Sequence, residues 1–99
     1  MRNNKFYKIT SVNVLKIYRF LKTVQNNGTD FSTVGEIARG TGLHKWTVSR
    51  TLDIWMSPIL EMIIPEELED VGLKLKLVNL TNPNLSEEQV LRLLKIRLY

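Results

Sequence analysis

Cysteine is absent from this 99-residue sequence, which excludes a disulfide framework and a thiolate metal site and leaves the redox compartment open. Histidine occurs once, at His44. One imidazole cannot build a metal site by itself. With no cysteine nucleophile, no acid-base pair around His44 and no phosphate-binding glycine loop, neither enzymatic activity nor a cofactor or metal is expected. Apolar runs stay well short of the roughly 20 residues that span a bilayer. The opening MRNNKFYK leads into ITSVNVLKIYRF, where Lys16 and Arg19 interrupt any signal-peptide core, so a soluble, intracellular chain is expected. Acidic residues are missing before Asp30, whereas Arg2, Lys5, Lys8, Lys16, Arg19 and Lys22 all precede it. A net charge of +4 placed this unevenly suits a phosphate backbone, but solvated lysines are common on helices and charge alone does not separate the two.

A hydrophobic content of 43% supports one compact domain over residues 1–99, and neither a low-complexity stretch nor an internal repeat marks a boundary within it. Residues 33–56 hold its centre. Thr33 followed three positions later by Glu36 forms a capping box at a helix start, with Ile37 and Ala38 facing inward. Gly40 can take the left-handed conformation that closes this helix, and Gly42 lets the chain redirect within a few residues. A second helix starts near His44 or Lys45 and runs to about Met56, since Pro58 disfavours helical geometry at Ser57. This is a helix-turn-helix pattern. On the second helix Val48, Leu52, Trp55 and the carbon part of Thr51 share the buried side, while Trp46, Ser49, Arg50 and Asp53 point away. Thr47 and Ile54 lie on a flank, and Lys45 snorkels outward. One arginine, two hydroxyls and an aromatic on the open face suit the major groove of DNA, with its guanine acceptors and thymine methyls.

Residues 1–9 read as a loose basic arm. Thr10 or Ser11 caps a helix to about Asn26, with Val14, Leu15, Ile17, Tyr18, Leu21 and Val24 on a wide apolar stripe. Either all of that stripe packs into the core, or part of it, with Tyr18 or Phe20, serves a partner subunit. Asn26, Asn27 and Gly28 end the helix, and Phe31 dips into the core from the connection that follows. Alternation at 59–64 and 73–80 gives two strands, the first stopped by Pro65 and the second entered through Gly72, so 59–80 forms a hairpin. Ser86 and Gln89 make another capping box, with Leu85 and Val90 as a staple, and open a last helix over 86–99. Its Val90, Leu91, Leu93, Leu94, Ile96 and Leu98 cover more surface than a small core takes up, which argues for a dimer. The alternative is that this helix wraps back over the first.

TGLHKWTVSRTLDIW, residues 41–55, resembles the recognition segment of winged-helix transcription regulators of the multiple-antibiotic-resistance (MarR) type. The likeness continues through Ile59–Ile64, the acidic turn near Asp70 and KLVNLT at 76–81, and takes in roughly 70 residues. Small winged-helix proteins of archaeal viruses and plasmids are similar in length and architecture. The resemblance implies an α+β fold, mostly α: a winged helix-turn-helix with a β-hairpin wing and an additional C-terminal helix. It also implies a short first strand near residues 29–32, and a cytoplasmic protein that is nucleoid-associated, or in the host-cell cytoplasm if viral. Related regulators usually carry an arginine at the wing tip. Here Glu66, Glu67, Glu69 and Asp70 stand there without a compensating base, and no wing-tip contact is carried over. Those acids are solvated, or they meet a basic protein or a second subunit. The ligand pocket known between dimer subunits of that family has no identifiable residues here.

The function expected is sequence-specific double-stranded DNA binding by a transcriptional regulator, a homodimer joined through its N- and C-terminal helices. It would set two recognition helices in successive major grooves about 34 Å apart. Arg50 reads guanine. Trp46 packs on thymine methyls or a sugar, or else is buried in a dimer or wing contact. Ser49 adds a base or phosphate contact, and His44, Lys45 and Thr47 anchor phosphates. Lys74 and Lys76 touch the backbone from the hairpin, and Asp53 orients Arg50 or Lys45. The competing expectations are a protein-interaction module, which the acidic wing suits, and a DNA-binding replication or partition factor of a mobile element.

Overall fold

The computed structural model describes residues 2–65 and 76–96, with side chains from residue 9 onward. The acidic stretch 66–70, Lys74 and the expected strand residues 73–75 lie outside the described residues, as does Leu98.

Helix α1 spans Arg2–Asn26. Neither glycine nor proline interrupts those positions, and once a packed segment has nucleated a helix, each further residue adds a hydrogen bond at little entropic cost. Residues 2–9 are therefore helical and not the loose arm expected. Thr10 and Ser11 are buried within α1 instead of capping it. At the other end Gly28 takes φ 96°, which turns the Thr29 amide back to the Val24 carbonyl (2.8 Å) and closes the helix.

Strand β1 (Ser32–Thr33) leads directly into α2 (Val34–Thr41). Helix α3 (Lys45–Arg50) follows a turn at 42–44 and runs on as a π-helical turn, Thr51–Met56, and a single 3₁₀ turn, Ser57–Ile59. The sequence pointed to one continuous α-helix here. In the widened turn hydrogen bonds span five residues in place of four, so Met56 takes the fully buried place below Leu52 and Trp55 moves to a half-buried one.

Strands β2 (Leu60–Ile63) and β3 (Leu77–Leu80) form an antiparallel hairpin in which Leu60 pairs with Leu80 and Ile63 with Leu77. β1 adds to the other side of β3, also antiparallel, giving the order β1-β3-β2. In β3 the buried side chains are Val78 and Leu80, on the face that also carries Lys76. Gln25 extends the sheet from α1: its side-chain oxygen accepts from the Leu80 amide (2.7 Å) and its amide nitrogen donates to the Leu80 carbonyl (3.4 Å).

Helix α4 covers only Glu87–Leu93, behind the expected capping box of Ser86 and Gln89. It does not run to the end of the chain. Lys95 adopts φ 58°, the Ile96 amide returns to the Leu91 carbonyl (2.9 Å) and the Lys95 amide to Arg92 (3.1 Å). Burial of Ile96 offsets the left-handed strain of roughly 1 kcal/mol at Lys95.

Val14, Ile17, Tyr18 and Leu21 of α1 form the core with Ile37, Val48, Leu52, Met56, Val78, Val90 and Leu91. Val90, Leu91, Leu94 and Ile96 are all consumed there, and of the apolar residues described around α4 only Leu93 remains exposed. Of the face that argued for dimerisation through this helix, the described residues other than Leu93 are therefore filled from within the chain. Polar contacts hold the same seam. Tyr18 donates its hydroxyl to the Leu85 carbonyl (2.5 Å), with Pro83 at 3.3 Å, and Arg19 grips Glu87 with two bonds of 2.5 and 2.7 Å. Burial pushes the Tyr18 phenol above its ordinary value. Among the described residues no helix is long and apolar enough to cross a membrane.

Candidate functional site

The open surface of α3 owes its direction to the chemistry at both ends of α2. Thr33 accepts from the Glu36 amide (3.1 Å) while Glu36 accepts from the Thr33 amide (2.8 Å), as the spacing predicts. Gly40 sits inside the helix and does not close it. The left-handed residue is Gly42, φ 77°, whose amide donates to Ala38 (2.9 Å). What Gly40 supplies is room: a Cβ there would stand 2.0 Å from Cε1 of Phe20, so α1 and α2 touch over a bare backbone.

His44 starts α3 by accepting the Trp46 amide at Nδ1 (3.1 Å). Its imidazole, expected at a phosphate, is thus engaged in capping through one nitrogen. Along the underside Val48, Thr51 and Leu52 are buried, and Thr51 donates to the Thr47 carbonyl (2.7 Å). With that side committed, His44, Lys45, Trp46 and Arg50 are exposed, and Thr47 and Ser49 lie at the margins. Trp46 keeps 62% of its surface, so it is not buried against the hairpin of its own chain. The Arg50 guanidinium lies over its ring, 4.7 Å from the centroid, as two residues four apart on a helix allow.

Grooves flank this ridge on either side. The larger, about 740 Å³, runs between Thr33 at the end of β1, Gly35 of α2, Lys45, Trp46 and Ser49 of α3, and Ile64 and Lys76 flanking the hairpin strands. The smaller, about 190 Å³, separates Ile9 and Asn13 of α1 from Trp46, Arg50 and Ile54. Ile9, Val12, Ile54, Ile63 and Ile64 are all exposed.

Charge is arranged differently from the sequence expectation in one respect. Asp53 orients neither Arg50 nor Lys45. Its carboxylate accepts from Lys76 Nζ (2.6 Å), and the lysine side chain is only 22% exposed. Lys76 therefore enters the larger groove already paired. The pairing depends on the register of β3 against α3, which no local pattern in the sequence reveals. Among the described residues no carboxylate pairs with Lys45, Arg50 or Arg39.

Arg39 is an addition that sequence reasoning missed. Its Nη1 and Cε of Lys45 each lie 3.7 Å from where a Cβ on Gly35 would be, so two cationic side chains converge over the first turn of α2. The signal available was Gly35 four residues before Arg39, a helical spacing at which the missing side chain leaves room for the guanidinium. The face as a whole offers cations, hydroxyls and an indole to a ligand that is anionic along its flanks and flat or apolar at its centre. Among the described residues no group of three histidine or acidic side chains could hold a metal ion. Comparison with protein-family models, with curated proteins and with solved structures finds no match to this chain.

Proposed function

We propose that the chain is a winged helix-turn-helix protein that binds double-stranded DNA sequence-specifically and acts as a transcriptional regulator, with α3 in the major groove and the β2–β3 hairpin as its wing. The observation that carries this reading is the Arg50–Trp46 pair, solvent-exposed on the outer side of a helix whose underside is sealed into the core. A guanidinium in that position can meet guanine O6 and N7, and the indole can meet a thymine methyl. Support also comes from the element order, in which two short helices at a glycine turn are followed by an antiparallel hairpin whose second strand pairs with β1. The MarR-type pattern in residues 41–55 agrees with it.

Phosphates would run along the two grooves, held by Lys45, Arg39 and Ser49 on one side and Thr47 on the other. Lys76 would reach the backbone only by sharing its ammonium with Asp53. The homodimer remains part of the proposal and rests now on α1, where Ile9 and Val12 are exposed, more than on α4. An electrophoretic shift titration with genomic fragments flanking the gene, against competitor DNA and at two salt concentrations, tests the reading. Retention of one fragment at the higher salt supports it. Uniform binding that vanishes with salt reduces the protein to an electrostatic binder. The protein-interaction reading has its own observation, the exposed Ile63 and Ile64 leading into the acidic segment, and absence of any DNA binding would favour it.

A further inference from the structure

Arg50 has Trp46 four residues before it, one α-helical turn away, and Asp53 three residues after it, in the widened turn that follows α3. A carboxylate within reach of the long arginine side chain ordinarily wins it, since charge-assisted bonds to an arginine are stronger than its contact with an aromatic face. Yet the guanidinium lies on the indole. The difference is Lys76, which stands just before β3 and takes the Asp53 carboxylate at 2.6 Å. We infer that Lys76 is a positioning residue for base recognition: by holding Asp53 it keeps Arg50 on Trp46, with the planar fork free for a guanine edge. The inference rests on the DNA-binding reading and assigns Lys76 a role different from a phosphate contact. It makes the hairpin a determinant of which base is read, through the register that brings β3 to the second half of the α3 segment.

The arrangement has consequences in the free protein and in the complex. A guanidinium over an indole has its Nε proton shifted upfield by the ring current, so the free protein reports the stack by NMR without DNA. Trp46→Ala abolishes that shift, Lys76→Met reduces it as Asp53 draws Arg50 away, and Lys76→Met with Asp53→Asn restores it. Methionine keeps the apolar stem of a lysine that is mostly covered, so the fold survives loss of the charge. The double variant also has the net charge of the natural chain, which holds long-range attraction to DNA constant.

In the complex the probe is the fragment retained by the natural protein, beside the same fragment made with 7-deazaguanine, which lacks the N7 acceptor. Lys76→Met lowers the preference for the unmodified fragment by roughly tenfold, the size of one lost bidentate base contact. Adding Asp53→Asn returns the preference to within about twofold of the natural protein, the level at which uncoupled substitutions scatter. Two results overturn the inference while leaving DNA recognition standing: an Arg50 resonance indifferent to Lys76→Met, or a Lys76→Met loss that is equal on both fragments and persists in the double variant, as a direct phosphate contact requires. If the natural protein has no preference between the fragments, base reading by Arg50 itself fails, and the assigned role of Lys76 falls with it.

Discussion

Arg19 and Arg50 are both exposed arginines on helices, and the molecule uses them in opposite ways. Arg19 closes a two-bond fork on Glu87 and ties α1 to the start of α4. Arg50 has an indole beneath it and, among the described residues, no carboxylate paired with it. Around Arg19 the neighbouring side chains are committed as well, Tyr18 to the Leu85 carbonyl and Phe20 to the bare backbone of Gly40. Around Arg50 the outward-facing Trp46 and Ile54 are open to solvent, and Thr51 is buried beneath. Cationic character in the sequence is thus divided between construction and display, and only the partners distinguish them.

The close approach at Gly40 gives the largest expected effect on the constructed side. Gly40→Ala forces Phe20 aside at a cost of about 1–3 kcal/mol for overpacking, which outweighs the roughly 1 kcal/mol of helix propensity that alanine brings. Urea unfolding measures it, and Phe20→Leu in the same chain recovers part of the loss. A Gly40→Ala chain more stable than the natural one would mean that α1 and α2 do not touch there.

On the displayed side, Arg50→Ala removes the preference among DNA fragments by roughly tenfold, equivalent to about 1.4 kcal/mol of discrimination, with unchanged circular dichroism. Arg19→Ala leaves the preference intact. Equal loss of preference in both variants would erase the distinction between the two arginines. Tyr18→Phe is the next smaller test: losing one net hydrogen bond costs about 1 kcal/mol of stability, read from the denaturant midpoint, with no change in fragment choice.

The smallest effect is set by pH. Hydrogen bonding and charge from Arg19 hold the Glu87 carboxyl below its ordinary value of 4.5. The folded state therefore binds this proton less readily than the unfolded one. The pair adds stability above that value and loses it as pH falls through the lowered folded-state pKa. Both side chains are well exposed, at 58% and 43%, so solvent screening keeps the contribution small. Glu87→Gln should lie slightly below the natural protein in stability near neutrality and converge with it in acid. A gap that stays constant with pH would show that the fork contributes nothing through charge.

Much of the scaffold was legible because it depends on neighbours in the sequence. The capping boxes at Thr33 and Ser86, the turn before His44, the start of β2 and the buried Val48 and Leu52 all follow from spacing. What escaped depends on distant packing. Buried Ile96 sets the end of α4 by drawing Lys95 into a left-handed turn, and the widened turn after Arg50 exchanges Met56 for Trp55 in the core. Of the candidate site, the exposure of Trp46 and Arg50 was readable from helical phase, whereas the diversion of Asp53 to Lys76 and the approach of Arg39 to Lys45 required the register of separate elements. The acidic segment between the hairpin strands was legible as charge alone.

Gln25 gives the sheet a property beyond its stability. β1 has two residues and reaches only Leu77 and Val78, so the amide and carbonyl of Leu80 on that side would lie open to the backbone of another molecule. The Gln25 carboxamide presents to Leu80 the same donor and acceptor that a neighbouring strand would offer. A single side chain thereby acts as a stopper against intermolecular strand addition, a common route from a small sheet to an aggregate.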